Sequence, residues 1–561
     1  MKLGWRLKSI IAIGALSVIL AGCSGSIGGM SGMDHSKMNM EGTKETSETP
    51  NTQTEKSVVL TGKEFNLTAA PSNQEIASGK TLPVWTFNNS VPGPQIRVKQ
   101  GDTIKVNLKN QLPEPVTIHW HGVPVPNAMD GIPGVTQNAV QPGQSFTYEF
   151  KADVPGTYWY HSHQDSVNQL DRGLYGAFIV EPKEGTDVNR DYTLVLDEWM
   201  SSGEMSGMNM SGGNMSEMDH SKMNMGSSDG KDNKSSMNMS GNMSGMDHST
   251  MNMGNENKAS TKTDNSSMNM GHDMSMYDLY TINGKSGSLV DQLPVKEGDK
   301  VRIRLINAGY LSHQIHLHGH EFKVIATDGQ PINNPGILKD NVVSIAPGER
   351  YDIEFVASNP GQWLIEDHGD KAAVKGMKAT IAYEGAPAGS DKANEAEKLT
   401  AVDMSRYGQA GKANFTLDQK YTLEYSMNLN TEMKNGEMVY TINGKTFPET
   451  EPINVKKGDT VKVRLVNNSK TDDHPMHLHG HFFQVLSKNG NPLEGSPIIK
   501  DTLNLKPGEE YVVAFEADNE GNWMFHCHDL HHASAGMVTE LKYTDYKTNF
   551  VADPNAGNKP E

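Results

Sequence analysis

A chain of 561 residues is long enough for about three or four domains of roughly 100 to 200 residues each, so a sizeable core is available. Its net charge of −18 argues against nucleic acid or anionic lipid as a partner and suits cationic substrates or a surface that collects metal cations, a balance that many soluble exported proteins share.

The first 22 residues carry Lys2, Arg6 and Lys8, then an apolar run from Ile10 to Leu20, and lead into Leu20-Ala21-Gly22-Cys23. The run is too short to span a bilayer and fits a signal peptide. The four-residue box resembles that of bacterial lipoproteins, which implies cleavage before Cys23 and lipidation of its side chain. The expectation is an exported protein anchored by lipid to the outer face of a bacterial cytoplasmic membrane. With Cys23 acylated, Cys527 has no cysteine to pair with, because the chain contains two. Residues 23–57 are rich in Gly, Ser, Thr and Met, bury too little apolar surface to fold alone, and read as a flexible tether. The tether contains the phrase Met33-Asp34-His35-Ser36-Lys37-Met38-Asn39-Met40.

Globular sequence begins near Val58, and one pattern then recurs three times. Lys99-Gln100-Gly101-Asp102, Lys296-Glu297-Gly298-Asp299 and Lys457-Gly458-Asp459 each give a Gly-Asp turn before an alternating strand. A histidine cluster follows each, then a Pro-Gly turn (Pro142-Gly143, Pro347-Gly348, Pro507-Gly508), then a Gly-x-Trp/Tyr strand. Short strands, regular turns and little helical periodicity predict an all-β chain of three Greek-key β-sandwich domains, at 58–185, 190–385 and 413–561, with a linker at 386–412. In the third copy Tyr421-Thr422-Leu423 precedes Tyr440-Thr441-Ile442-Asn443-Gly444-Lys445 by some twenty residues; in the second the matching Tyr192-Thr193-Leu194 and Tyr280-Thr281-Ile282-Asn283-Gly284-Lys285 stand about seventy residues further apart. The Met-rich tract 201–276 is therefore an insertion within the second domain, expected to be disordered without metal.

The chemistry-bearing residues converge on Gly521 to Met537. If Trp523 to His528 is a strand, His526 and His528 project to one face and Cys527 to the other, so one strand can serve two metal centres. A thiolate, two imidazoles and a weak thioether form the blue-copper electron-transfer set, and Cys527, His532 and Met537 supply three of its members. His474, in Asp473-His474-Pro475-Met476-His477-Leu478-His479, completes it. Three further His-x-His pairs, His119/His121, His161/His163 and His477/His479, join His526/His528 to make eight imidazoles.

Four such motifs in this order resemble the multicopper oxidases, the family of laccases, ascorbate oxidase and bacterial cuprous oxidases, whose domains are cupredoxins. The resemblance implies four copper ions: one type 1 at His474, Cys527, His532 and Met537; one type 2 at His119 and His477; and a type 3 pair at His121, His161, His163, His479, His526 and His528, between the first and third domains. Cys527 would carry electrons to that cluster. The implied partners are dioxygen and a reductant, either Cu(I) or a small phenol, acting on a monomer.

Two departures stand out. Many bacterial relatives carry an acid directly after the last histidine, where this chain has Ala533; Asp130, in Met129-Asp130-Gly131, matches the other acid proposed to assist protonation, or else is a plain Asp-Gly turn. His313-Gln314-Ile315-His316-Leu317-His318-Gly319-His320 nearly copies the third domain's phrase, but after Gly361-Gln362-Trp363 the second copy has Glu366-Asp367-His368 with no cysteine, Ala372 replaces the later histidine and Met377 alone remains, so a remnant that hydrogen-bonds within the sandwich and holds no copper is expected. The acid pair Asp472-Asp473 beside His474 reads as a solvated loop or a receiver for a cation or phenol.

The function expected is coupling of one-electron oxidation, with Cu(I) as substrate in copper detoxification, to four-electron reduction of dioxygen to water. A general laccase-like phenol oxidase and a non-enzymatic copper-sequestering protein are the alternatives, and a copper nitrite reductase does not need four His-x-His pairs. The insertion holds seventeen of the 32 methionines and repeats the tether phrase at Met218 to Met225 and, with one substitution, at Met246 to Met253. Thioether sulfur favours Cu(I), and the tract has no Leu, Ile, Val or Phe with which to build a core.

Overall fold

The three Gly-Asp turns take the same backbone shape. In a computed structural model that describes residues 58–202, 276–369, 374, 376–386 and 399–561, Gly101, Gly298 and Gly458 have φ of 88°, 88° and 85°, a region open to glycine without a Cβ penalty. Each leads into a strand, Asp102–Asn110, Lys300–Asn307 or Thr460–Asn467. Alternation buries one apolar face of each: Ile104, Val106 and Leu108; Val301, Ile303 and Leu305; Val461, Val463 and Leu465. The lipoprotein box at Cys23, the tether and all but the ends of the Met-rich tract lie outside the described residues. No helix among the described residues is long and apolar enough to cross a membrane.

Each of these strands pairs parallel with one neighbour and antiparallel with another: Glu64–Ala77 and Ser145–Ala152, Arg190–Trp199 and Arg350–Val356, Leu423–Lys434 and Glu510–Glu516. Three sandwiches result, each with a second sheet that carries the histidine strands. In the first sandwich this sheet runs Val59–Thr61, Gly93–Lys99, Tyr175–Glu181, Gly156–His161, His119–His121; in the third it runs Ile453–Val455, Val538–Tyr543, Asn522–Cys527, His474–Leu478, Thr502–Leu505. His119–His121 lies at a sheet edge, Gly156–His161 and His474–Leu478 lie one strand in from an edge, and Asn522–Cys527 lies at the centre of its sheet. The described helices are short, the α-helical ones being Ser166–Asp171 and Leu530–Ser534.

Arg190–Trp199 pairs antiparallel with Leu279–Ile282, Trp199 lying opposite Leu279. The third sandwich closes the equivalent hairpin tightly, Lys434 opposite Glu437 around Asn435-Gly436, whose φ values of 55° and 89° suit the right-handed twist of a two-residue turn. In the second sandwich residues 203–275 stand in place of that turn. Their roots are tied together, because Ser201 donates from N and Oγ to the two carboxylate oxygens of Asp278 at 2.7 and 2.6 Å.

One buried ion pair ties the three sandwiches. Arg350, in the second, donates through Nη1 and Nη2 to Asp501 of the third at 2.7 and 2.5 Å, and through Nε to the carbonyl of Thr157 in the first at 3.1 Å. Both charged side chains are fully buried. Burial disfavours the ionised carboxyl of Asp501, but the guanidinium outweighs it and holds the group well below the usual carboxylate range. Removing the cation strands a buried carboxylate, so Arg350→Ala is expected to cost the copper-free protein roughly 3 to 5 kcal/mol of unfolding free energy in guanidinium melts, and a cost under about 1 kcal/mol would contradict this assignment.

Candidate metal centre

The strand Asn522–Cys527 lies antiparallel to His474–Leu478 with Cys527 opposite Met476 and His526 opposite His477. Alternation then separates two sets of donors. On one side Cys527 Sγ lies 3.8 Å from His474 Nδ1 and 3.6 Å from His532 Nδ1, and the two nitrogens are 3.2 Å apart. Ligands at about 2.0 to 2.3 Å from a tetrahedral ion stand about 3.3 to 3.5 Å from one another, so the three atoms fit one metal ion. Met537 is buried in the same core, and its carbonyl accepts from the Cys527 N–H at 3.1 Å. Burial pushes the Cys527 thiol well above its ordinary range, so metal binding must displace its proton. His532 stacks on Tyr440 at 4.0 Å between centroids, and its Nε2 lies 3.3 Å from Asp529 Oδ2.

On the other side the eight imidazoles of the His-x-His pairs are all buried. They form three groups, His119/His121/His477, His121/His161/His528 and His163/His479/His526, with potential ligand atoms within 4.8 Å of one another in each. Rings from the first and third sandwiches stack across the join: His119 on His479 at 4.0 Å and His121 on His477 at 3.8 Å. In several rings one nitrogen is committed to a carbonyl. His119 Nδ1 donates to Asp130 at 2.9 Å, His161 Nδ1 to Ser162 at 2.9 Å, His477 Nδ1 to Asp501 at 3.0 Å and His526 Nδ1 to Cys527 at 3.0 Å. The opposite nitrogens of His119, His161, His163 and His477, Nδ1 of His121 and both nitrogens of His528 are buried and meet no hydrogen-bond partner among the described residues. Orphaned acceptors of this kind are costly unless cations take them, and a bond from the other nitrogen is what orients a metal-bound imidazole. The residues therefore fit copper, for which imidazole is a suitable ligand.

Asp130 sits inside this set. Its carboxylate reaches His119 Nδ1 at 3.2 Å and His479 Nδ1 at 3.0 Å, and its side chain is 1 % exposed. Gly131 makes the approach possible: at φ 80° a Cβ would stand 1.8 Å from the carbonyl oxygen of Ile118. Ala533 is buried beside Ile132 and offers no proton. Asp472 and Asp473 are half-buried and engaged, Asp472 by Thr431 at 2.7 Å and Asp473 by Asn504 at 2.8 Å.

Several supporting residues carry no motif. Thr502 and Asp501 hold His121 Nε2 at 3.1 and 3.3 Å. The carbonyl of Pro560 accepts from His163 Nδ1 at 2.6 Å, and Glu561 Oε1 lies 3.4 Å from His526 Nδ1. Gly348 of the second sandwich passes so close to His528 that a Cβ would meet its ring at 2.8 Å. None of these is announced by residue type, because each depends on which loops the fold stacks against the cluster. In the second sandwich His313 pairs with Asp367 and Glu198, both at 2.8 Å, and His320 bonds the His318 carbonyl at 2.9 Å and the Tyr383 hydroxyl at 2.6 Å. These two are hydrogen-bonded within the sandwich as expected, whereas His318 and His368 face each other.

The metal-free cluster has a definite response to acid. Burial first, and the charges of neighbouring rings second, hold His161, His479, His526 and His528 well below the ordinary value, and burial brings His163 down to about 3 from 6.5. A histidine with a lowered folded pKa takes its proton first in the unfolded chain, so stability is present above the unfolded value and is lost as pH falls towards the folded one. The unfolding midpoint of the copper-free protein is expected to drop between about pH 6.5 and about pH 4.5; a flat acid limb would contradict neutral burial of the rings.

Comparisons with known proteins agree with this geometry. Family models described as multicopper oxidase match residues 68–185, and 243–386 with 415–547. A multicopper oxidase, MmcO, of Mycobacterium tuberculosis is 29 % identical over 85 % of this chain and 86 % of its own length. Copper resistance protein A of Escherichia coli is 24 % identical over 86 % of this chain and 93 % of its own. The crystal structure of a multi-copper oxidase from Pseudomonas thermotolerans superposes with a TM-score of 0.59 at 26 % identity, covering 87 % of this chain and all of that one. With cupredoxin-like sandwiches, buried imidazole groups that fit copper, and family models spanning most of its length, this chain belongs to the multicopper oxidase family and is a copper-dependent oxidoreductase that uses oxygen.

Proposed function

We propose that the protein couples one-electron oxidation of Cu(I) to four-electron reduction of dioxygen to water, in copper detoxification, from a lipid anchor at Cys23. His474, Cys527, His532 and Met537 would hold a type 1 copper, His119 and His477 a type 2 copper, and His121, His161 and His528 with His163, His479 and His526 the type 3 pair. Bound there, the four coppers would together store four electrons, one at the Cys527 centre where electrons enter and three at the imidazole cluster. The observation that carries this reading is the Cys527 strand: its Sγ faces His474 and His532 while the adjacent His526 and His528 enter the eight-imidazole cluster. Cys527 is thereby a covalent route between electron entry and oxygen reduction. Asp130, buried between His119 and His479, fixes both rings and is an acid in contact with the cluster.

Cu(I) is favoured as reductant by the Met-rich insertion and by likeness to proteins named for copper resistance. Likeness to proteins named laccase keeps phenol oxidation as the second reading. A purely sequestering role would leave the Cys527 strand without a purpose.

Two variants test this. Cys527→Ser is expected to abolish the blue colour and bring oxygen uptake to background while copper stays in the eight-imidazole cluster; undiminished uptake would defeat the oxidase reading. Excising residues 203–275 joins Ser202 to Met276 across roots that already meet through Ser201 and Asp278. The excised enzyme is expected to keep its blue chromophore, oxidise limiting Cu(I) more slowly, and oxidise phenols at least as fast. Unchanged Cu(I) binding and oxidation would make a general laccase the better account.

A further inference from the structure

The second sandwich repeats the ligand register of the third. Its strands His313–Leu317 and Gln362–Asp367 are antiparallel with His316 opposite Glu366, just as His477 lies opposite His526 in the third. His318, Glu366 and His368 therefore occupy the places held by His479, His526 and His528, with a carboxylate in place of one imidazole. No cysteine lies between Glu366 and His368, so this strand cannot serve a thiolate centre.

The three side chains nevertheless converge. His318 Nε2 lies 3.0 Å from Glu366 Oε1 and 3.1 Å from His368 Nε2, and Glu366 Oε1 lies 3.7 Å from His368 Nε2. Donors bound at about 2.0 to 2.2 Å to one ion stand about 2.8 to 3.1 Å apart at right angles and about 3.3 to 3.6 Å apart at tetrahedral angles, so two sides of this triangle match the first spacing and the third lies close to the second. Protons satisfy the arrangement poorly. If His318 Nε2–H points at the carboxylate, one proton must serve both Glu366 and the lone pair of His368 Nε2 as a shared, weaker three-centre bond. If His368 supplies the only proton, the lone pairs of His318 and Glu366 face each other. A cation at the centre engages all three at once.

The site is also graded from core to surface. The side chain of His318 is 3 % exposed, that of Glu366 18 % and that of His368 32 %, so an ion has a path in and a water a place to complete its coordination. The ring of His316, held by a bond from Nδ1 to the carbonyl of Asn341 at 2.8 Å, closes the buried side at 4.4 Å from that of His318.

We propose that His318, Glu366 and His368 form a separate mononuclear site for a divalent cation of borderline softness, Cu(II) in preference to Zn(II). Two imidazoles and a carboxylate are nitrogen and oxygen donors that bind Cu(II) most tightly among first-row divalent ions, and the absence of sulfur removes any preference for Cu(I). The site shares no ligand with the Cys527 centre or the eight-imidazole cluster, so its existence does not rest on the oxidase reading.

The test uses the full-length, copper-loaded protein beside a His318→Ala/His368→Ala variant. The variant is expected to retain one copper fewer per chain after desalting and to lose an electron paramagnetic resonance signal of nitrogen and oxygen ligation, while its blue band and oxygen uptake match the parent. Equal copper counts with identical spectra would overturn the proposal. Should the variant fail to fold, anomalous scattering at the copper edge from parent crystals decides: a peak between the three side chains is expected, and its absence overturns the site. With equimolar Cu(II) and Zn(II) offered together, a zinc-edge peak there in place of the copper one would overturn the choice of metal.

Discussion

Everything at the eight-imidazole cluster depends on the stacking of histidines from one sandwich against those of another. His119 on His479 and His121 on His477 place rings 4.0 and 3.8 Å apart in a region with no water-facing side. Without metal this is an unfavourable packing, since buried nitrogens lack partners and protonation is opposed by burial and by every neighbouring ring. Copper bound there would convert the same geometry into a stabilising one by using the orphaned lone pairs.

The scaffold compensates elsewhere for a join that repels itself. Arg350 and Asp501 place a doubly hydrogen-bonded charge pair directly under the cluster, with Thr157 completing the contact among three sandwiches. Asp501 also positions cluster rings: its carbonyl accepts from His477 and its carboxylate stands 3.3 Å from His121. One residue therefore couples sandwich packing to ligand orientation. Lys500 extends the network to Asp328 and Glu349, each at 3.2 Å.

Much of this was legible in sequence because it was written in spacing. Two-residue alternation in His526-Cys527-His528 is enough to deduce two faces and two centres, and the threefold Gly-Asp turn is enough to deduce three sandwiches. The supporting contacts were not legible, because they are made between residues far apart in sequence. Asp501 lies in an ordinary strand connection, Pro560 contributes a carbonyl that any residue could supply, and Gly348 matters only because His528 passes beside it. The second sandwich shows the limit of reasoning by missing partners. Lack of a cysteine suggested an inert copy, whereas pairing register brings Glu366 and His368 to His318 at metal-ligand spacing.

The central claim is that one buried strand joins an electron-entry copper to a three-copper cluster, and counting electrons tests it most directly. The copper-loaded His318→Ala/His368→Ala protein, titrated anaerobically with a one-electron reductant, should accept four electrons per chain, lose its blue colour during the titration, and be reoxidised by one dioxygen without releasing hydrogen peroxide. Uptake of fewer than four electrons with peroxide as the product would contradict the account.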